Sequence, residues 1–230
     1  MKQGDHTMEK HAKAVSKALK TLSKGQLNCL PYTRALLDHC EALGITAKPL
    51  VVRAIVFGSV KELTWDEVFK LITPAQLFLG ARDGQHANGG VQLTIPSDES
   101  SKQKQLVIPY RTLGYTHGTA PMGDYDAKGN WSGHIVAIAG NALIDMTIGQ
   151  LNDSQFNIHF DPPFVMVETD SEFLAGTRPI IGEQDGMVVC YQAYPSETTF
   201  LQSRSWSDPG FRKQLREAGT KAAEYLKRKA

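Results

Sequence analysis

The sequence predicts an α+β protein built on an antiparallel sheet. Three observations lead there. Helical apolar stripes occupy the two ends of the chain, β-branched and alternating runs crowd into its second half, and the clearest of those runs form a hairpin rather than a strand–helix–strand unit. The 230 residues are read as one domain over 1–230. At 41% hydrophobic and 21% charged, they carry enough apolar material for a packed core and do not resemble a disordered chain.

Residues 6–23 predict a first helix. Met8, His11, Ala12, Val15, Leu19 and Leu22 fall on one stripe, with lysines opposite and Gly25 as a stop. Residues 29–43 predict a second. Its apolar face runs from Leu30 through Ala35, Leu36, Leu37 and Cys40 to Leu43, and Gly44 ends it. Pro31 stands in its first turn, where a missing N–H costs no hydrogen bond, so Asn28 or Cys29 is the expected cap. Lys48–Gly58 is dense in β-branched residues and reads as a buried strand. Thr64 followed by Glu67 is a capping-box pattern for a short helix ending near Ile72. Residues 80–105 and 116–130, rich in Gly and polar residues, are expected to be long loops. Gly133–Ala139 and Ala142–Met146 flank a Gly140-Asn141 turn and predict a hairpin. Phe164–Glu168 and Met187–Tyr194 predict two more strands, so the sheet is expected mainly over 130–195. Residues 208–228 predict a closing helix, with Asp208 as cap and Pro209 at its first position.

Composition narrows the function classes. Lys and Arg number 25 against 24 Asp and Glu, a net charge of +1, which argues against a nucleic-acid binder. No apolar run approaches the roughly 20 residues of a membrane helix, and no apolar stretch follows the N-terminal residues as in a secretory leader. Three cysteines do not make a disulfide framework, so reduced thiols in a cytoplasmic setting are expected. No metal or cofactor is expected: Cys-x-x-Cys and His-Glu-x-x-His are absent, and adjacent His39 and Cys40 diverge by about 100° on a helix. The glycines of 80–90 lack the preceding strand and following helix of a phosphate loop.

The chemistry gathers around Cys29. A cysteine in the first turn of a helix lies in the positive end of the helix dipole, where unpaired N–H groups stabilise a thiolate or a developing oxyanion. The bland alternative is a buried structural thiol, which fits Cys40 and Cys190 well. His134 opens a strand that is otherwise Ile, Val and Ala, and is either a core histidine bonded to backbone or a base for the thiol. Asp145 lies in the apolar second arm of the hairpin, where a charge needs a partner. The Gly140-Asn141 turn sets position 145 opposite 136 and diagonal to 134, on the same face. Asp145 can then hold one imidazole nitrogen and leave the other for the thiol.

This Cys, His, Asp order resembles the transglutaminase-like branch of papain-like cysteine enzymes. The likeness continues in Leu43-Gly44-Ile45-Thr46-Ala47-Lys48 after the helix and in Gly133-His134-Ile135-Val136 followed by Ile144-Asp145-Met146-Thr147. The chain departs from that pattern at Thr46 and Lys48, where Pro and Arg are usual, and at Val136, where an aromatic is frequent. The resemblance implies a papain-like core, N-terminal helices packed on the sheet, and thioester chemistry on a peptide or protein amide by Cys29, His134 and Asp145. Gln26 and Asn28 become oxyanion-hole candidates, and Trp131 and His117 cleft candidates. Two other readings stay open: a non-catalytic binding scaffold of the same fold, and an effector or toxin that modifies a partner protein.

Overall fold

The computed structural model describes residues 5–20, 29–60, 63–83, 88–96, 103–114, 125 and 131–228. The architecture is α+β. Its helices are α1 (Asp5–Lys20), α2 (Cys29–Ala42), α3 (Trp65–Leu71), α4 (Pro74–Asp83), α5 (Ser171–Leu174), α6 (Arg204–Ser207) and α7 (Pro209–Lys227). Its strands are β1 (Ala47–Phe57), β2 (Asn88–Pro96), β3 (Gln103–Leu113), β4 (His134–Ala139), β5 (Ala142–Asp145), β6 (Val165–Glu168), β7 (Ile180–Gln184) and β8 (Met187–Ala193). Every pairing among them is antiparallel.

The caps read from the sequence hold where they are described. Thr64 and Glu67 exchange both capping-box bonds at α3. Asp208 accepts from the Phe211 N–H, with Pro209 in the first turn of α7. Past α2, Gly44 takes a left-handed φ of 72° and the Ile45 N–H returns to the Cys40 carbonyl, which closes the helix. The hairpin registers as its turn dictates, with Ala139 facing Ala142 and Ala137 facing Ile144. Residues 21–23 of the first predicted helix and the Gly25 stop lie outside the described residues.

Two expectations are corrected. The described residues of 80–105 are not a loop: α4 ends in them, and β2 pairs with β3 over nine residue pairs. The alternation was present, with Val91 and Leu93 facing Leu106 and Ile108 inward while polar residues face out. Gly89 and Gly90 obscured it. A Cβ at Gly89 would lie 2.8 Å from the Tyr110 hydroxyl, and one at Gly90 would lie 2.3 Å from a Val107 methyl. These glycines make room for partner side chains rather than break the strand. Secondly, the sheet does not lie mainly over 130–195 but runs from β1 to β8, with β1 at its centre and β2 and β3 added to it. β7 is a strand the sequence reading did not find, although Asp185 and Gly186, with φ of 54° and 73°, form the kind of Asp-Gly hairpin turn that marks one. The other predicted loop, 116–130, lies outside the described residues except for Tyr125, which bridges to Trp131.

β1 organises the site. Ala54–Phe57 pair with β3 and, on the opposite edge, with β8. Val52 pairs with both Ala193 of β8 and His134 of β4. β3 and β4 therefore share one edge of β1, and the end of β3 meets the start of β4 there. Gly114 fits that junction because a Cβ would lie 2.7 Å from the Val52 carbonyl oxygen and 3.2 Å from the His134 Cβ.

The sheet curls around one core cluster that includes Val52, Ala54, Val136, Leu143, Val189 and Tyr191. On its outer side, α1, α2 and α7 pack through Val15, Leu36 and Ala222 against Ala137, Ala139 and Ile144. A third cluster joins Trp65 of α3 and Phe78 of α4 to Phe57 and Ile108. Among the described residues no helix is long and apolar enough to cross a membrane.

Candidate active site

Cys29 is the first residue of α2, and its sulfur lies 3.9 Å from the Gly133 carbonyl oxygen, next to the first residue of β4. The N–H groups of a first helical turn have no intrahelical acceptor, so this end of α2 presents donors and the positive end of its dipole. Along β4 the residues alternate. Ile135 joins Cys29, Leu30 and Val51 in one cluster, whereas Val136 and Ile138 face the core inside the curled sheet. His134 belongs to the Val136 side by period. It stands at the strand's first position, beside the Gly133 carbonyl that Cys29 faces, and its ring is within hydrogen-bonding reach of the Cys29 thiol.

The diagonal predicted from the hairpin register is present. His134 Nε2 donates to Asp145 Oδ2 at 2.7 Å, with His134 1% and Asp145 0% exposed. Nδ1 is the ring nitrogen left for the thiol. Burial disfavours a charged imidazole. The Asp145 charge and hydrogen bond, joined by a hydrogen bond and charge from Cys29, outweigh it and hold the His134 pKa up at about 10. Both neighbours, a carboxylate and a sulfur, thus favour the protonated ring.

Two further groups complete the carboxylate's shell. The Thr147 N–H donates to Asp145 Oδ1 at 3.0 Å, and the Tyr191 hydroxyl donates to Oδ2 at 3.0 Å. Sequence reasoning had Thr147 in view as part of the Asp-x-Thr segment but missed Tyr191. Nothing in the run Met187–Tyr194 distinguishes a tyrosine bound to a carboxylate from one packed in a core. A buried phenol's need for an acceptor and Asp145's need for donors were both legible, but their proximity was not.

Trp131, the predicted cleft residue, is half-buried. Its indole N–H donates to Thr199 Oγ1 at 3.0 Å, and its ring meets Phe200 edge-on. Phe200 lies in the Cys29 cluster, and Tyr194 and Trp206 pack against the same cluster. The sequence reading did not select Phe200 or Trp206, and an aromatic wall of this kind has no spacing signature. Gln26, Asn28 and His117 lie outside the described residues. Among the described residues no group of three or more His, Cys, Asp or Glu side chains is placed to hold a metal ion.

The structure thus brings Cys29, His134 and Asp145 together across 116 positions of chain, with Trp131 beside them. No protein-family model matches this chain, and no curated protein or solved structure matches it either.

Proposed function

We propose that this protein is a cysteine-dependent acyl-transfer enzyme with a papain-like, transglutaminase-like core, acting on a peptide or protein amide in the cytoplasm. One observation carries the reading: a thiol at the start of a helix stands against a buried imidazole that is hydrogen-bonded to a buried carboxylate.

In the resting site the imidazolium and the helix dipole both favour a thiolate at Cys29. The sulfur attacks the carbonyl carbon. A C–S bond forms, and the carbonyl π pair moves to oxygen, where the Cys29 N–H supports the oxyanion. The tetrahedral intermediate collapses, the C–N bond breaks, and His134 gives its proton to the departing amine. The product is a thioester on Cys29. Water or a second amine then attacks it while His134 takes the incoming proton, and collapse returns the thiolate. Water as acceptor makes the enzyme a peptidase, amidase or deamidase; an amine makes it a transglutaminase. Asp145 holds Nε2 throughout and compensates the ring's charge. Trp131 and Trp206 give the acyl group an apolar approach.

Alkylation by iodoacetamide tests this. Cys29 is expected to label at least about tenfold faster than Cys40 or Cys190, with a rate that falls as pH drops well below 7. The His134→Ala protein loses that advantage. Equal labelling of the three thiols would instead identify a binding scaffold, and amide turnover by Cys29→Ala would remove the covalent mechanism.

A further inference from the structure

We propose that Tyr191 is a positioning residue of this site, whose hydroxyl fixes the Asp145 carboxylate so that Oδ2 stays in line with His134 Nε2. The inference rests on the acyl-transfer reading above.

Asp145 is fully enclosed, so its direction is set by the donors around it. Among the described residues, four donors from three residues reach it, one of them the Thr147 hydroxyl at 3.5 Å from Oδ1. The Thr147 N–H, at 3.0 Å from Oδ1, lies two residues along the same chain segment and moves with the carboxylate. His134 Nε2, at 2.7 Å from Oδ2, is the group to be oriented. The Tyr191 hydroxyl, at 3.0 Å from that same Oδ2, comes from β8, 46 positions further along the chain. Tyr191 pairs with Ala54 of β1, the strand whose Val52 pairs with His134. The phenol is fully buried in the core cluster and has no room to swing away. It therefore ties the carboxylate to the frame that carries the imidazole.

A buried tyrosine that merely needed an acceptor would be served by a backbone carbonyl. This one donates to the single oxygen through which Asp145 acts on His134. Without it, the carboxylate loses one of its two long-range anchors and is free to turn out of line with His134 Nε2. Imidazolium support then weakens, and with it the thiolate. Phenylalanine keeps the ring and removes the donor alone.

The test is the pH dependence of Cys29 alkylation by iodoacetamide in the full chain carrying Tyr191→Phe. The inflection of the profile is expected to move up by about one pH unit, so that below the wild-type inflection the rate falls about tenfold. The double variant Asp145→Asn with Tyr191→Phe is expected to be no slower than Asp145→Asn alone, because both act through one carboxylate. An unmoved inflection, or a double variant in which the two losses multiply, would overturn the proposal. If Tyr191→Phe does not fold, a fluorinated tyrosine at 191 replaces it: a changed donor acidity must move the inflection, and an unchanged one refutes the role. A wild-type Cys29 that labels no faster than Cys40 defeats the acyl-transfer reading and this inference together. Selective wild-type labelling with an unaltered Tyr191→Phe profile defeats this inference alone.

Discussion

Asp145 is the residue on which the site's electrostatics turn. It is buried, and it is hydrogen-bonded by His134, Tyr191 and the Thr147 N–H. Such a charge is tolerable because its oxygens are hydrogen-bonded. Asn at 145 keeps the shape and removes the charge that raises the His134 pKa. The Asp145→Asn protein is expected to fold but to turn over roughly 10,000-fold more slowly, the order of magnitude for replacing the acid of such a triad by its amide. Steady-state kcat beside a circular dichroism spectrum checks both halves. The sign of the pH effect also follows. The folded His134 pKa of about 10 lies above its ordinary 6.5, so the pair's contribution to stability is full below pH 6.5 and is lost as pH rises through 10. Asp145→Asn should flatten that alkaline decline in Tm.

At the scale of elements, α2 holds the thiol in place, and α2 is held by α1 and α7. The contact with α7 is close. A Cβ at Gly219 would lie 2.6 Å from the Ala35 carbonyl oxygen and 2.9 Å from the His39 nitrogen, both backbone atoms that cannot turn aside. Gly219→Ala is therefore expected to push the two helices apart and cost about 1–3 kcal/mol, the usual range for overpacking. A urea titration measures it, and Cys29 labelling should slow if α2 shifts at its start. The same interface carries a histidine pair. His39 Nδ1–H donates to the Gly219 carbonyl at 3.1 Å, and His39 Nε2 accepts from His11 Nδ1–H at 2.9 Å. That chain needs a neutral His39, and burial lowers the pKa of both rings below the usual 6.5. The unfolded chain then takes up protons first as pH falls. Stability is lost from about pH 6.5 downward, the reverse of the His134 case. His39→Gln should blunt that acid-side loss in Tm measured between pH 7 and pH 5.

At the scale of the whole molecule, β1 is the strand on which the rest depends. It pairs with β3, β4 and β8, its even positions enter the enclosed core, and Ile55 and Phe57 enter the α3–α4 side. Amides of Val52 to Val56 are expected to exchange with solvent last, through global unfolding, while those of the edge strand β2 exchange earlier. Native-state hydrogen exchange followed by NMR checks the order. Earlier exchange in β1 than in β2 would mean that the sheet does not unfold around its centre. The thiol-bearing helix and the His134 strand both rest on this strand. A core substitution such as Phe57→Ala, costing about 3–5 kcal/mol, reaches the site only by lowering the folded fraction.

Local chemistry was legible in the chain. The capping box at Thr64, the Asp208-Pro209 start of α7, the Gly44 stop and the Gly140-Asn141 turn are each settled within a few residues, and the structure keeps them. That one hairpin also fixed the distance between His134 and Asp145, since register follows from turn length. Contacts between distant segments were not legible. The β2–β3 pair was hidden because its glycines serve a partner strand's side chains, and only the fold brings Tyr110 and Val107 over them. Tyr191 was hidden for the same reason: its acceptor lies 46 residues away, and the curl of the sheet decides that the two meet. The sequence by itself determined which groups needed partners, because burial and unpaired charge are costly wherever they occur. Tertiary structure alone decided which partner each received, because that choice depends on which edge of β1 each strand takes.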